Sequence, residues 1–548
     1  MRYPIVLARL SLVAALILTA RMAPAQTPSS IAPLQLTVAA EQQSSQASAP
    51  IRRLSVNDAV ALALEQNLGI QIERYNPQID DMSIAQTRAA WAPTLTSSLL
   101  NTSTANPATS TFSGGQSKVT DGLFQTGLGV EQRLSTGANY NVSWNGNRST
   151  STNFFNNYDP QLRSNVSLNV TQPLLRNWKI DDVRQELQIN QKIREISDVN
   201  LRAATVETTR NVKNAYWDLA FAIDNLTVQR QSLDLARRLL GDNEKRVQIG
   251  TMAPIDIVEA QSEVARNQES VIVAEAAIKQ SEDRLRVLIF DPSMPDFWTT
   301  TLEPTDAAPF ADVALDVDGA VQRAMANRSE VRQGKNGLQQ DDITIRYLRN
   351  QILPEVNAVA SYGLVGVGGT RLEPLSLASL SGGSIPTRNI LSQRGFGSVI
   401  NDVFTNAYPA WSFGVNIGYP IGTSTSEANL AKARLQYAQA QASLRNVELQ
   451  VAAQVRDAAR QVQTNRQRVD TSRAARELAE RRLEAEEKKM AAGIQTTFFV
   501  FQAQRDLAQA RTNEVKAVLD YNKSQVDYEA VQEVPLRSPQ QQTTTAPQ

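Results

Sequence analysis

The chain has 548 residues, with 55 Lys plus Arg balanced by 55 Asp plus Glu, and neither Cys nor His. This composition removes the usual zinc and copper ligands, every cysteine nucleophile and any triad that needs an imidazole base. A net charge of +0 supplies no global field to draw the chain onto nucleic acid.

At the N-terminus, Arg2 and Arg9 precede an apolar run, Leu10 to Ala20, and Ala23-Pro24-Ala25 follows as a small-x-small site. The pattern predicts a secretory signal peptide over 1–25, cut before Gln26. The apolar run reaches about half of the ~20 residues that a membrane-spanning helix needs. No Cys follows the site, which excludes lipid attachment there. No later stretch reaches spanning length without charges, so a membrane-inserted mature chain must use a closed β-barrel, the other structure that pairs every backbone polar group in lipid. Residues 26–50 and the tail 533–548 are rich in small and polar residues and are expected to be disordered.

Between these ends the pattern repeats. Leu54-Ser-Val56-Asn-Asp-Ala59-Val60 is matched by Leu315-Asp-Val317-Asp-Gly-Ala320-Val321, and Pro93 falls on Pro354 at the same offset. Further on, Gln172-Pro173-Leu174 answers Tyr419-Pro420-Ile421, and Gly250 answers Gly493. Four matches in one order predict an internal duplication, 51–290 and 315–532, joined by a proline-containing linker at 291–314. The period is too long for a stacked solenoid.

Each half has the same order of elements. A helical segment (Ser55–Ala90 or Asp316–Gln351) stops at a proline. A β region rich in Ser, Thr, Gly and Asn follows, then a very long helix (174–249 or 424–492), a glycine and a shorter helix (255–290 or 497–532). Val166, Leu168 and Val170 alternate with Ser167, Asn169 and Thr171, and Phe413, Val415, Ile417 and Tyr419 alternate with Ser412, Gly414, Asn416 and Gly418. Such period-two strands, with 94–99 and 356–362 as partners, suit a barrel wall with a wet lumen; an ordinary soluble sandwich is the other reading. In the long helices Leu219, Ile223, Leu226, Leu233 and Leu240, and Val451, Val455, Ala458, Val462 and Val469, mark narrow coiled-coil seams. The charged stretch Arg476 to Lys489 is expected to be a solvated helix face. A helix over 174–249 would run ~110 Å at 1.5 Å per residue, and the two short helices laid end to end match it. The segment between Pro93 and Pro173 holds a further hairpin, 125–134 and 137–144 around Ser135-Thr136-Gly137, without a counterpart in the second half. We expect it to decorate the extracellular end; the alternative is a barrel widened by two strands per chain.

Signal peptide, duplicated halves, strand clusters, long and short helices and glycine-marked tips together resemble the TolC-type outer-membrane efflux family, over roughly 54–532. The resemblance implies an α+β membrane protein. Three chains would form a β-barrel, with four strands from each chain, continued by a long antiparallel α-helical barrel in the periplasm. It implies a passive export conduit in contact with outer-membrane lipid, a periplasmic adaptor and an inner-membrane pump, with no catalytic residue, cofactor or metal. The family's functional residues lie at the tips. Here Gly250 and Asp256 match the first tip and Gly493 the second, whereas its arginine and two aspartates are replaced by Gln495, Phe499 and Gln502. With Phe498 these residues define the candidate constriction. Phenyl rings there would narrow a pore by bulk and dewetting rather than by charge; the other reading is that Phe498, Phe499 and Phe501 pack inside the hairpin. A secreted trimeric coiled-coil fibre or adhesin is the rival function.

Overall fold

A computed structural model describes residues 51–108, 117–153, 155–306, 314–375, 388–422 and 424–533. The expected signal peptide, the segment 26–50 and the tail beyond 533 lie outside the described residues, as does Pro309 of the linker.

The first helical segment is two helices, α1 (Val56–Gln66) and α2 (Leu68–Ala89). Ser55 and Asp58 form a reciprocal capping box on α1. Asn67 breaks the run: its extended backbone ends α1 while its side chain accepts from the Ile70 amide to start α2. Arg328 divides the later segment into α5 (Val317–Asn327) and α6 (Ser329–Gln351) by its non-helical backbone alone, without a side-chain cap, where the sequence predicts one continuous helix. Between the two segments lie α3 (Asp182–Gln248) and α4 (Ile255–Ile289). The first long helix therefore starts later than position 174, because Asp181 caps it through the Arg184 amide. The later pair are α8 (Thr425–Ala491) and α9 (Thr497–Val531). α3 and α8 are each 67 residues, about 100 Å at 1.5 Å per residue, and α4 and α9 are each 35.

α2 and α4 both pack along α3, α6 and α9 along α8, and α3 also meets α6 and α9. The predicted seams are the buried ones: Leu219, Leu226, Leu233, Val451, Val455, Val462 and Val469 all lie in core clusters. Near the middle of the helices, the short strands β1 (Ile51–Leu54) and β6 (Thr301–Pro304) pair in parallel. The buried Tyr216 hydroxyl donates to the Leu54 carbonyl and accepts from the Thr305 and Asp306 amides, which ties this sheet to α3. Glu533, expected in the tail, instead accepts from the Ser329 amide and hydroxyl at the start of α6.

The other strands form one sheet. β2 (Thr94–Pro107), β3 (Lys118–Arg133), β4 (Asn139–Ser151), β5 (Tyr158–Pro173) and β7 (Glu355–Leu372) follow one another antiparallel. The far flank of β7 is shared by β9 (Pro409–Gly418), next to the helices, and β8 (Ile390–Arg394), away from them. The sheet is thus six strands wide, not four. The hairpin expected to be decoration is β3–β4, and it stands inside the sheet between β2 and β5 over most of its length. Its turn also lies at the helix end rather than the opposite one. The physical reason is the pairing: residues 121–131 of β3 have strand partners on both sides, which a free-standing hairpin would leave open.

Alternation and register give the sheet two unlike faces. One carries Val142, Leu168, Tyr362, Phe413, Val415 and Ile417; the other carries mainly Asn, Ser, Thr and Gly, such as Asn141, Asn169, Ser361 and Ser412. A short helix, α7 (Phe396–Phe404), crosses the apolar face, with Val399 over β7. A Cβ on Gly366 would stand 2.0 Å from the Val399 carbonyl oxygen, so the crossing needs glycine there.

Candidate functional site

The tips are two copies of one backbone device. After α3, the Gly250 amide donates to Val247 (3.0 Å) and the Thr251 amide to Arg246 (2.9 Å); after α8, Gly493 donates to Met490 (3.1 Å) and Ile494 to Lys489 (3.0 Å). This is the Schellman pattern, which closes a helix through one left-handed residue. Both glycines supply it, with φ of 78° and 75°. Nothing lies within 4 Å of a Cβ built at either site, so the constraint is conformational and not steric. Alanine at either position should cost about 1 kcal/mol through the left-handed backbone alone, read as a small shift in a denaturant midpoint. A loss above about 3 kcal/mol would mean that the glycines pack against something.

The tips lie at the same end of their helix pairs, because one core cluster joins Leu239 of α3, Ala260 of α4, Leu483 of α8 and Val500, Phe501, Ala503 and Leu507 of α9. The phenylalanines divide between the two readings. Phe501 is 2% exposed inside that cluster, whereas Phe498 and Phe499 are 47% and 42% exposed and meet edge to face at 5.6 Å. Asp256 sits in the first turn of α4, where a carboxylate faces the positive end of the helix dipole. Gln495 and Gln502 are partly exposed beside the phenyl pair.

The charged stretch before the second tip does more than solvate a face. Arg476 reaches Glu480 and Glu514, Arg511 of α9 reaches the same Glu480 (3.0 Å), and Arg482 reaches Asp506 (2.8 Å), so the ions clasp α8 to α9. Arg511, then Arg476, hold the Glu480 carboxyl below its usual range. Its contribution is present above the ordinary carboxylate pKa and is lost as pH falls through the lowered value.

A second constellation, missed by sequence reading, anchors the sheet. The Asp181 carboxylate is fully buried and accepts from Arg133 of β3, from the Arg184 guanidinium (3.0 Å) and from the Arg184 amide (2.8 Å). Arg133 also pairs with Asp182 and holds that carboxyl low. Arg184 donates to the Asn177 and Trp178 carbonyls, both at 2.7 Å. The turn of the β3–β4 hairpin is thereby seated on the entry to α3. An Arg closing one element and an Asp-Asp pair opening another, far apart in sequence, gave no local signal.

Two exposed apolar flanks also matter. On α2, Ile72, Tyr75, Ile79 and Met82 are all about 60% exposed or more, spaced three and four apart as a helix seam requires. On α8, Leu435 and Leu449 are 74% and 71% exposed. The α2 spacing was legible in the sequence; that its own chain leaves it uncovered was not.

A sheet with one apolar face, carried on antiparallel helix pairs that end in capped tips, is the mixed strand-and-helix architecture of an outer-membrane channel subunit. Among the described residues no helix is long and apolar enough to cross a membrane, and no group of three His, Cys, Asp or Glu could hold a metal ion. The sequence pattern of the outer membrane efflux protein family matches residues 132–289 and 320–530, and the chain belongs to that family. It is a channel protein of the outer membrane that serves efflux. No curated protein matches the sequence significantly. Among solved structures it is similar to the Campylobacter jejuni CmeC outer membrane channel, at 14% identity over 87% of this chain and 85% of that one, with a TM-score of 0.57. The outer membrane protein VceC of Vibrio cholerae gives 13% identity, 87% and 96% coverage and a TM-score of 0.59. The open-state MtrE outer membrane channel of Neisseria gonorrhoeae gives 16%, 87% and 88%, and 0.57. At these identities the likeness speaks for the fold.

Proposed function

We propose that the chain is the outer-membrane subunit of a tripartite efflux or type I secretion assembly. It works as a homotrimer and as a passive conduit, with energy supplied by an inner-membrane pump through a periplasmic adaptor. The halves 51–290 and 315–532 read as a duplication, which the paired helix lengths support: 11, 22, 67 and 35 residues against 11, 23, 67 and 35.

One observation carries the assembly. α2 leads into β2 on one flank of the protomer and β9 leads into α8 on the other, and each flank combines an unpaired strand edge with an exposed apolar helix. Two different flanks that fit each other make a head-to-tail contact, which closes a ring when the rotation allows. The tips Gly250 and Gly493, with Asp256, Gln495, Phe498, Phe499 and Gln502, then surround the inner opening, where an adaptor's helical hairpin would pack. A trimeric surface fibre gives no role to a sheet that is apolar on one face.

Native mass measurement of detergent-solubilised protein should give a trimer, and the same preparation should conduct ions in a planar bilayer. A stable monomer, or trimers that never conduct, would overturn the proposal.

A further inference from the structure

The sheet is wider than the four strands per chain that the family resemblance implies, and its geometry states what the extra pair does. β3 and β4 pair with each other and, over most of their length, with β2 and β5, and they keep the same two faces. On them Leu128, Val130 and Val142 fall on the apolar side, and Asn141, Ser143 and Asn145 on the polar side. The two faces stay in register from β2 to β9: Ser143 bonds Ser167 across strands on the polar side (2.8 Å), and Ser361 bonds Ser412 in the same way (2.7 Å).

Among the described residues the outer edges are open and unblunted. Soluble proteins protect such edges with charges, bulges or short strands. β2 runs 14 residues, every one exposed, without a charged side chain. β9 runs 10, nearly all exposed, again without charge. Six antiparallel strands leave β2 and β9 pointing in opposite directions, so β9 of one copy can continue antiparallel onto β2 of the next. The exposed helices α2 and α8 sit on the matching flanks.

We infer that this chain closes an eighteen-stranded barrel, six strands from each of three copies, through pairing of β9 with the neighbour's β2. The inference rests on the trimeric channel proposed above and specifies its wall. With strands ~4.8 Å apart and tilted about 40°, twelve strands enclose a backbone diameter of about 24 Å and eighteen about 36 Å. Barrels of sixteen to eighteen strands leave an open aqueous channel. Here Asn, Ser, Thr and Gly dominate its lining, so the outer mouth is wide and polar enough to pass bulky hydrated cargo. The narrow point of the conduit is left to the helix tips.

The chain lacks cysteine, so single substitutions report cleanly. In trimers reconstituted into liposomes, Asn141→Cys and Asn145→Cys should react with a charged methanethiosulfonate. Leu128→Cys and Val142→Cys should resist it, and an environment-sensitive dye attached to them before reconstitution should lose its fluorescence in brominated lipid. Equal aqueous labelling of both sets, or dyes at 128 and 142 that brominated lipid leaves unquenched, would place the hairpin outside the wall and overturn the inference. A second measurement addresses closure. Ser412→Cys combined in turn with Cys at Thr94, Thr96, Ser98, Leu100 or Thr102, all on the polar face, should give covalent dimers and trimers for at least one register. The two edges are too far apart within one sheet to cross-link in the same chain, and a ladder with no cross-linked product overturns the β9–β2 contact. Trimers that conduct but fail these tests sink only the wide barrel; a chain that neither trimerises nor conducts sinks the channel reading itself.

Discussion

Replacing Asp181 by Ala should cost about 3–5 kcal/mol, because it leaves charged guanidinium groups without their buried partner. The carboxylate is fully buried between Arg133 and Arg184 and also caps α3, so the substitution removes the seat of the β3–β4 hairpin and an N-cap together. A capping Asp alone is worth about 1 kcal/mol. Asp181→Asn keeps an acceptor for the Arg184 amide and loses only the charge, so it should fall between the two. Urea unfolding of the detergent-solubilised protein measures this order. If Asp181→Ala unfolds within about 1 kcal/mol of the parent, the clasp does not hold strand to helix and the hairpin is seated by pairing alone.

The tip phenylalanines should separate by function under the same kind of comparison. Phe501→Ala opens a cavity beside Leu239, Ala260 and Leu483 and should cost about 3–5 kcal/mol. Its effect on conductance per assembled pore should be small. Phe498→Ala with Phe499→Ala removes rings that are already half exposed, so stability should change by about 1 kcal/mol or less, as is usual for surface positions. Three copies of the pair would form an apolar collar, and taking it away should raise single-channel conductance and sensitise cells to large antibiotics at unchanged trimer yield. If the double variant leaves conductance unaltered, the exposed phenyl pair faces outward, and an adaptor surface becomes its better assignment.

The family resemblance, the order of helices and strands and the tip glycines could all be read from the chain, because each rests on a local pattern. Heptad spacing set the seams around Leu226 and Val455, prolines stopped the first helices, and glycine offered the one residue type that enters the left-handed cap without strain. The breaks at Asn67 and Arg328 were missed because a single residue in extended backbone interrupts a helical pattern that resumes in phase on both sides.

Position in the sheet belonged to the tertiary structure. Nothing within 118–151 says whether a hairpin stands free or is paired on both sides, since the same alternation serves either case; the partners of β3 and β4 lie on β2 and β5. The clasp of Arg133 with Asp181 joins groups that have no periodic relation in sequence. Burial likewise separated the neighbouring phenylalanines, whose packing the sequence left open: the side of α9 that meets α3 and α8 takes Phe501 inside and leaves Phe498 and Phe499 about half exposed. The sequence by itself determined which elements form, because that is a matter of local spacing and backbone preference. Which edges remain open and which side chains stay exposed was decided only where those elements meet.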